Sequence, residues 1–325
     1  MQKLYIAYQI CSVEGICHGI YVLWMLHHGL DPVTISLIIS LGEATLLFTE
    51  LPTGWWADRF GLKRSLIFGS LLQMLGLALF WANRYLAAAV IIALGDAFRH
   101  GADEALLYRA DPEGFQQNLA RAQSCTILAL VGLTLLGGWL PSRVSYDAAW
   151  GLELGLSSLG WLLALRLPNL KAPLEPSTRR RFRHWWAILP ATLIFGLAAA
   201  GEFCLQASAP DPERAALRVS GILLLEALGA WLVSRYRLPL QSLPLLALAA
   251  MGLGGPALAL LYIAAGMAPS LRSQLIQQAA GEEERAQLLS AASTVDMLVR
   301  MLAIPLAGTW CNGNNSIHAS FIRRE

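Results

Sequence analysis

Glu14, His18, Glu43, Asp96, Arg99, His100, Glu202, Glu226, Asp296 and Arg300 are ionisable side chains set inside otherwise apolar stretches. An ionisable group in a hydrocarbon interior costs on the order of 3 kcal/mol unless it is paired, so such groups are candidate binding or ion-pathway residues by default. Cys11, Glu14, His18 and Tyr21 follow steps of three and four residues, which places them on one face of a helix. Asp96, Arg99, His100 and Asp103 form a second stripe with Glu104 beside it. Within that stripe Asp96 can pair with Arg99 or His100, and Arg99 with Asp103. Two readings stay open for it: a neutralised structural network, or a relay in which a buried carboxylate changes protonation as its cationic partner moves away. Asp296 and Arg300, four residues apart, can neutralise each other. Glu14, Glu43 and Glu226 have no evident partner on their own helices, and each is a candidate proton carrier. Glu50 shares a face with Glu43 but lies near the end of its run.

The elements that must hold these groups are transmembrane helices. The chain has 325 residues, of which 56% are hydrophobic and 14% charged, too few charges for an ordinary water-facing surface. Apolar runs near 4–26, 33–51, 65–82, 85–107, 122–140 and 148–167 are each long enough, at about 1.5 Å per residue, to cross a layer about 30 Å thick. A basic linker follows at 169–184. Further runs lie near 185–207, 217–234, 240–273 and 287–309, the third divided into two short helices at "GLGG". The expected fold class is therefore an all-α integral membrane protein of about 11 spans, with an N-terminal bundle over 1–168 and a compressed C-terminal bundle over 185–325. The ending "SIHASFIRRE" reads as the start of a further helix too short to span, so a truncated last helix is expected.

Lys and Arg set the orientation. Sixteen fall on the face that carries Lys3, Arg59 and the linker, against four on the other, namely Arg84, Arg143, Arg214 and Arg218. The first face, with the N-terminus, is expected in the cytoplasm, and the location is the cytoplasmic (inner) membrane. The run "RRRFR" is a juxtamembrane topology signal in contact with anionic lipid rather than a nucleic-acid patch. The first apolar run lacks a small-residue cleavage site and is expected to stay in the membrane. The five cysteines, odd in number and without a CxxC pair, indicate neither a disulfide framework nor a zinc site, and most read as small apolar fillers.

Charge also gathers at "GWWADRFGLKR", residues 54–64, between the second and third runs. Gly54, Asp58, Arg59, Gly61, Lys63 and Arg64 there resemble the signature G-x-x-x-D-R-x-G-x-K/R-R of the major facilitator superfamily, in a wording similar to its drug-exporter-like bacterial branches. "GDAFRHGADEALLYRAD" (95–111) and "GEEERAQLLSAAS" (281–293) are similar to further segments of bacterial members, with His100 in place of Ser and Arg109 in place of Asp. A faint repeat, "AWLVSRYRL" (230–238) against "GWWADRFGL" (54–62), agrees with two halves, with Ser234 in place of Asp58. The resemblance implies two parallel-repeat bundles of about six helices with a substrate site between them. It also implies that the 54–64 turn is a conformational latch, for which Asp103 and Glu104 are the better partners. On the residues themselves, Gly54 is expected to allow close helix approach, Gly61 to permit a backbone turn, and Asp58 to need a cationic or helix-terminal partner.

These readings imply a secondary transporter of a small molecule, proton-coupled, with efflux as a direction they allow, working as a monomer in the lipid bilayer without cofactor or metal. No GxxxxGK[ST] loop provides for direct ATP drive. An enzyme is not expected: His27 and His28 form the only His pair and lack an acidic or Cys cluster nearby. The alternative is a degenerate or truncated carrier-like protein without transport, acting as a sensor or having no role.

Overall fold

The structure is a computed structural model that describes residues 2–111, 113, 115–170, 189–236, 259–268 and 294–312. The expected linker, the "GLGG" interruption, the 281–293 segment and the chain ending lie mostly or wholly outside those residues. Among the described residues thirteen helices can be followed: α1 Gln2–Ser12, α2 Gly15–His18, α3 Tyr21–His27, α4 Pro32–Phe60, α5 Leu62–Trp81, α6 Tyr85–Arg99, α7 Ala102–Ala110, α8 Phe115–Arg143, α9 Tyr146–Arg166, α10 Leu189–Ala207, α11 Pro212–Tyr236, α12 Ala259–Ala268 and α13 Thr294–Asn312. Among the described residues six helices are long and apolar enough to cross a membrane, or seven if the bent series α1–α3 is one span.

The chain divides into two compact units, which trade short segments across the sequence halves. The first comprises Met1–Gly29, Leu41–Leu174 and Ala209–Leu217, and the second Leu30–Ser40, Glu175–Ser208 and Arg218–Glu325. In the first unit α5 packs along α6 and α9, while α1 and α2 pack on α8 and α9. A cluster of Tyr8, Ala57, Leu62, Leu66, Leu106 and Ala164 closes one end of it. At α3, aromatic residues gather: Trp24 is buried against Trp150 and Tyr146, and Phe80 stacks on Trp150. Trp24 is thus a packing residue here.

Helix starts follow their caps. Ser145 accepts the Ala148 amide at the head of α9, and Asp211 that of Arg214 at the head of α11. Asp31 accepts the Val33 and Thr34 amides at the head of α4. Hydrogen bonds from the Thr34 hydroxyl and these amides hold the exposed Asp31 carboxyl below its ordinary range. Its capping contribution is therefore present near neutrality and is lost as pH falls through that lowered value. Contrary to the expected end of the second run at 51, α4 continues through Pro52 to Phe60. Thr49 and Thr53 hydroxyls return to carbonyls one turn back, and Thr53 also donates to the Ala97 carbonyl of α6, 2.9 Å away.

The α4–α5 turn rests on Gly61, whose φ of 101° and ψ of 143° lie in a region that only glycine occupies readily. Gly54 differs: it is exposed, and a Cβ built on it meets nothing within 4 Å, so close packing does not explain this glycine. Gly61→Ala is expected to cost about 1–3 kcal/mol and lower the melting temperature of the detergent-purified protein. Gly54→Ala should leave it unchanged within error; equal losses in both would count against this account of the turn.

Candidate functional site

The first apolar run does not form one helix. α1 ends at Ser12, α2 starts after Glu14, and α3 starts after Ile20. Interrupting a helix in a membrane interior frees amides and carbonyls that lipid cannot satisfy, so neighbouring helices must supply partners. Here they do. The Ser12 carbonyl accepts from Gln73 Nε2 of α5 at 2.8 Å and from Arg99 Nη1 of α6 at 2.7 Å. The Gly15 carbonyl accepts from the Thr134 hydroxyl of α8 at 3.1 Å. The Cys17 amide donates to Glu153 Oε2 of α9 at 2.9 Å.

The fourth run is interrupted as well. α6 ends at Arg99 and α7 begins after Gly101, whose φ is 73°. The carbonyl of Ala97 is satisfied by Thr53, and that of Phe98 by the Ser65 hydroxyl at 2.6 Å. The two interruptions are joined twice. Arg99 reaches from one to the Ser12 carbonyl of the other, and Gln9 donates to Asp103 Oδ2 at 2.9 Å. Backbone proximity makes that reach possible: a Cβ on Gly69 of α5 would lie 2.6 Å from the Gly95 carbonyl of α6.

Around the first interruption gather Glu14, Asp96, Arg99 and Glu153. Asp96 forms an ion pair with Arg99. Glu14 Oε1 lies 3.4 Å from Gln73 Nε2, and its charge acts on Arg99 and on Glu153. Glu153 is 1% exposed, the most deeply buried of these acids, and the sequence candidates omit it. Its signal was available: a single carboxylate in the apolar run 148–167. Gln73 gave none, because a neutral amide in an apolar helix is not a charge anomaly.

The breaks correct two expectations. Cys11, Glu14, His18 and Tyr21 do not share one helical face, because they fall on α1, before α2, at the end of α2 and at the start of α3. Asp96, Arg99, His100 and Asp103 do not form a continuous stripe either: His100 is the exposed residue at the end of α6, and Asp103 turns to Gln9 instead of Arg99. Averages over a span do not register one or two residues of non-helical backbone, and only Gly15, Gly19 and Gly101 hint at them.

Elsewhere Glu43 lies partly buried on α4. In the 54–64 turn, Arg59 sits over the Trp55 ring at 5.3 Å, Lys63 is partly buried and Arg64 exposed. The Asp58 side chain is outside what the structure describes. Glu104, the other expected latch partner, is exposed. In the second unit Glu202 of α10 accepts from Gln206 at 3.1 Å, and its charge acts on Glu226 of α11. Tyr262 of α12, 2% exposed and also absent from the sequence candidates, lies within electrostatic reach of both acids. Asp296 and Arg300 lie on α13, both partly buried.

Comparison with known proteins places this architecture. Residues 10–304 match the Major Facilitator Superfamily. An uncharacterized MFS-type transporter of Bacillus subtilis (strain 168), YxaM, is 27% identical over 150 residues, which cover 43% of this chain and 38% of that protein. The chain thus spans well under half the length of that relative. The nucleoside transporter NupG superposes with a TM-score of 0.67 at 12% identity, over 97% of this chain and 96% of that one. A bacterial homologue of the human lysosomal transporter Spinster, in an inward-facing and occupied conformation, superposes with a TM-score of 0.65 at 16% identity, over 99% and 83%. A D-xylose-proton symporter gives 0.65 at 13%, over 96% and 88%. At such identities the structures speak for the fold alone, but the sequence match covers most of the chain. The multi-pass membrane protein built around these two interrupted helices belongs to the major facilitator superfamily.

Proposed function

We propose that the chain is a secondary transporter that moves a small molecule outward across the cytoplasmic membrane by alternating access, coupled to protons, with its N-terminus in the cytoplasm. The observation that carries the coupling is the acid count around the α1–α2 interruption. Glu14, Asp96 and Glu153 stand against the single guanidinium of Arg99. With every group ionised the site would hold two surplus negative charges away from water, a cost that bound protons remove. Arg99 holds Asp96, so Glu14 and Glu153 are the exchangeable positions. Family membership supports transport, and the proton coupling of a D-xylose-proton symporter with this fold is compatible with the reading. The wording around 48–66 supports export, the basic-residue count supports the orientation, and nothing in the site calls for catalysis.

The 54–64 turn is the proposed latch, with Asp58 as its charged centre. The test is transport in vesicles reconstituted with the purified chain, under an imposed pH gradient and across a chemically diverse panel of substrates. Wild type is expected to respond to the gradient. Asp58→Asn should lose at least about tenfold in rate, equivalent to about 1.4 kcal/mol, while inserting normally. Unchanged transport in a well-expressed Asp58→Asn would overturn the latch. Transport of no compound by a well-folded wild type would favour the degenerate-carrier alternative.

A further inference from the structure

Cys204 and Cys311 come from opposite ends of the second half, yet their Sγ atoms stand 2.8 Å apart. Cys204 lies one turn before the end of α10, and Cys311 next to the end of α13. The sulfur atoms of a disulfide are about 2.04 Å apart, so closure asks for less than about 1 Å of movement. The sequence reading against disulfides rested on the odd number of cysteines and the missing CxxC pair, neither of which bears on a pair brought together by helix packing.

Their location favours oxidation. α10 follows the basic linker and α13 follows the segment with Arg285, so by the positive-inside count both helices start at the cytoplasmic face. Both C-terminal ends, and both thiols, then lie at the outer face, where disulfides persist. The other three cysteines are placed differently: Cys11 and Cys17 are buried in the first unit, and Cys125 is exposed near the start of α8. The pair also sits beside a tight contact. Gly308, one turn before Cys311, faces the first turns of α4, where a Cβ on it would lie 2.2 Å from Ser36 Oγ and 2.8 Å from the Pro32 carbonyl. A bond at Cys311 fixes to α10 the stretch of α13 on which α4 is seated.

We propose that Cys204 and Cys311 form an intramolecular disulfide at the outer face, made by exchange with an outer-face thiol oxidoreductase in its disulfide form. Cys204 is the more exposed thiol and reacts first. Its thiolate attacks one sulfur of the oxidoreductase disulfide, giving a mixed disulfide and releasing one oxidoreductase thiolate. The Cys311 thiolate then attacks the Cys204 sulfur and releases the second. Two electrons pass to the oxidoreductase, and the two protons shed by the cysteines are taken up by its thiolates.

The test denatures the membranes in SDS in the presence of one maleimide, so that every free thiol is reached, then reduces and alkylates with a second of different mass. Full-length chain is expected to carry the first reagent on three of its five cysteines and the second on Cys204 and Cys311 alone. Cys204→Ser should move Cys311 to the first reagent. Five first-reagent adducts in the wild type would overturn the proposal. Ser208→Cys, at an exposed position at the same end of α10, reports the side when probed with a membrane-impermeant maleimide on intact cells. Labelling from outside supports the orientation independently of the bond. Labelling only after permeabilisation would overturn the orientation, and the outer-face disulfide with it.

Discussion

Glu153→Leu is expected to leave little folded protein in the membrane, whereas Glu153→Gln should accumulate close to wild-type levels. Leucine fills the volume but removes the acceptor of the Cys17 amide, which the lipid interior cannot replace. An orphaned buried amide costs about 1–3 kcal/mol, a large share of a marginal folding free energy of about 5 kcal/mol. Glutamine keeps a carbonyl oxygen for that amide and loses only the capacity to gain and release a proton. Size-exclusion profiles and melting temperatures of the detergent-purified variants separate the two roles. A monodisperse Glu153→Leu that melts like wild type would show that the interruption does not depend on this carboxylate.

The second large effect is expected at Gly137. A Cβ on this residue of α8 would lie 1.7 Å from the Ile16 carbonyl oxygen and 2.7 Å from its carbon. Neither atom can rotate away, because both are backbone of α2. Gly137→Ala must therefore push α8 from α2, weakening the Thr134 hydrogen bond to the Gly15 carbonyl along the same face. Forced insertion into packed cores typically costs about 1–3 kcal/mol, and contact with backbone puts this case at or above the upper end. Gly132→Ala is the control, since a Cβ there meets nothing within 4 Å. A melting temperature for Gly137→Ala equal to that of Gly132→Ala would contradict the close approach.

The long spans were legible because hydrocarbon thickness fixes how much apolar chain a helix needs. The runs at 65–82 and 148–167 correspond to α5 and α9 to within a few residues. The family was legible from Gly54, Asp58, Arg59, Gly61, Lys63 and Arg64, whose order and position are unusual. The candidate site was only partly legible. Glu14, Asp96 and Arg99 announce themselves as charges in apolar surroundings, but what they do depends on interruptions that hydropathy cannot resolve. Gly101 at positive φ and Glu14 just before α2 place backbone groups, not only side chains, in the site. Gln73, Thr134 and Ser65 matter because they answer those groups, a role that appears only once the helices are packed. The same holds for Cys204 and Cys311, which stand 107 residues apart in sequence.

In this account structural support and proton exchange share the same atoms. Arg99 holds Asp96 and the Ser12 carbonyl together, so a change in the charge of Glu14 or Glu153 acts directly on the joint between the two broken helices. The most direct test compares gradient-driven transport with counterflow in vesicles carrying wild type, Glu14→Gln or Glu153→Gln, using a compound that the wild type transports. Wild type should accumulate it in response to a pH gradient, and at least one variant should keep counterflow while losing that accumulation. Gradient-driven accumulation undiminished in both variants would contradict the assignment of proton exchange to this site.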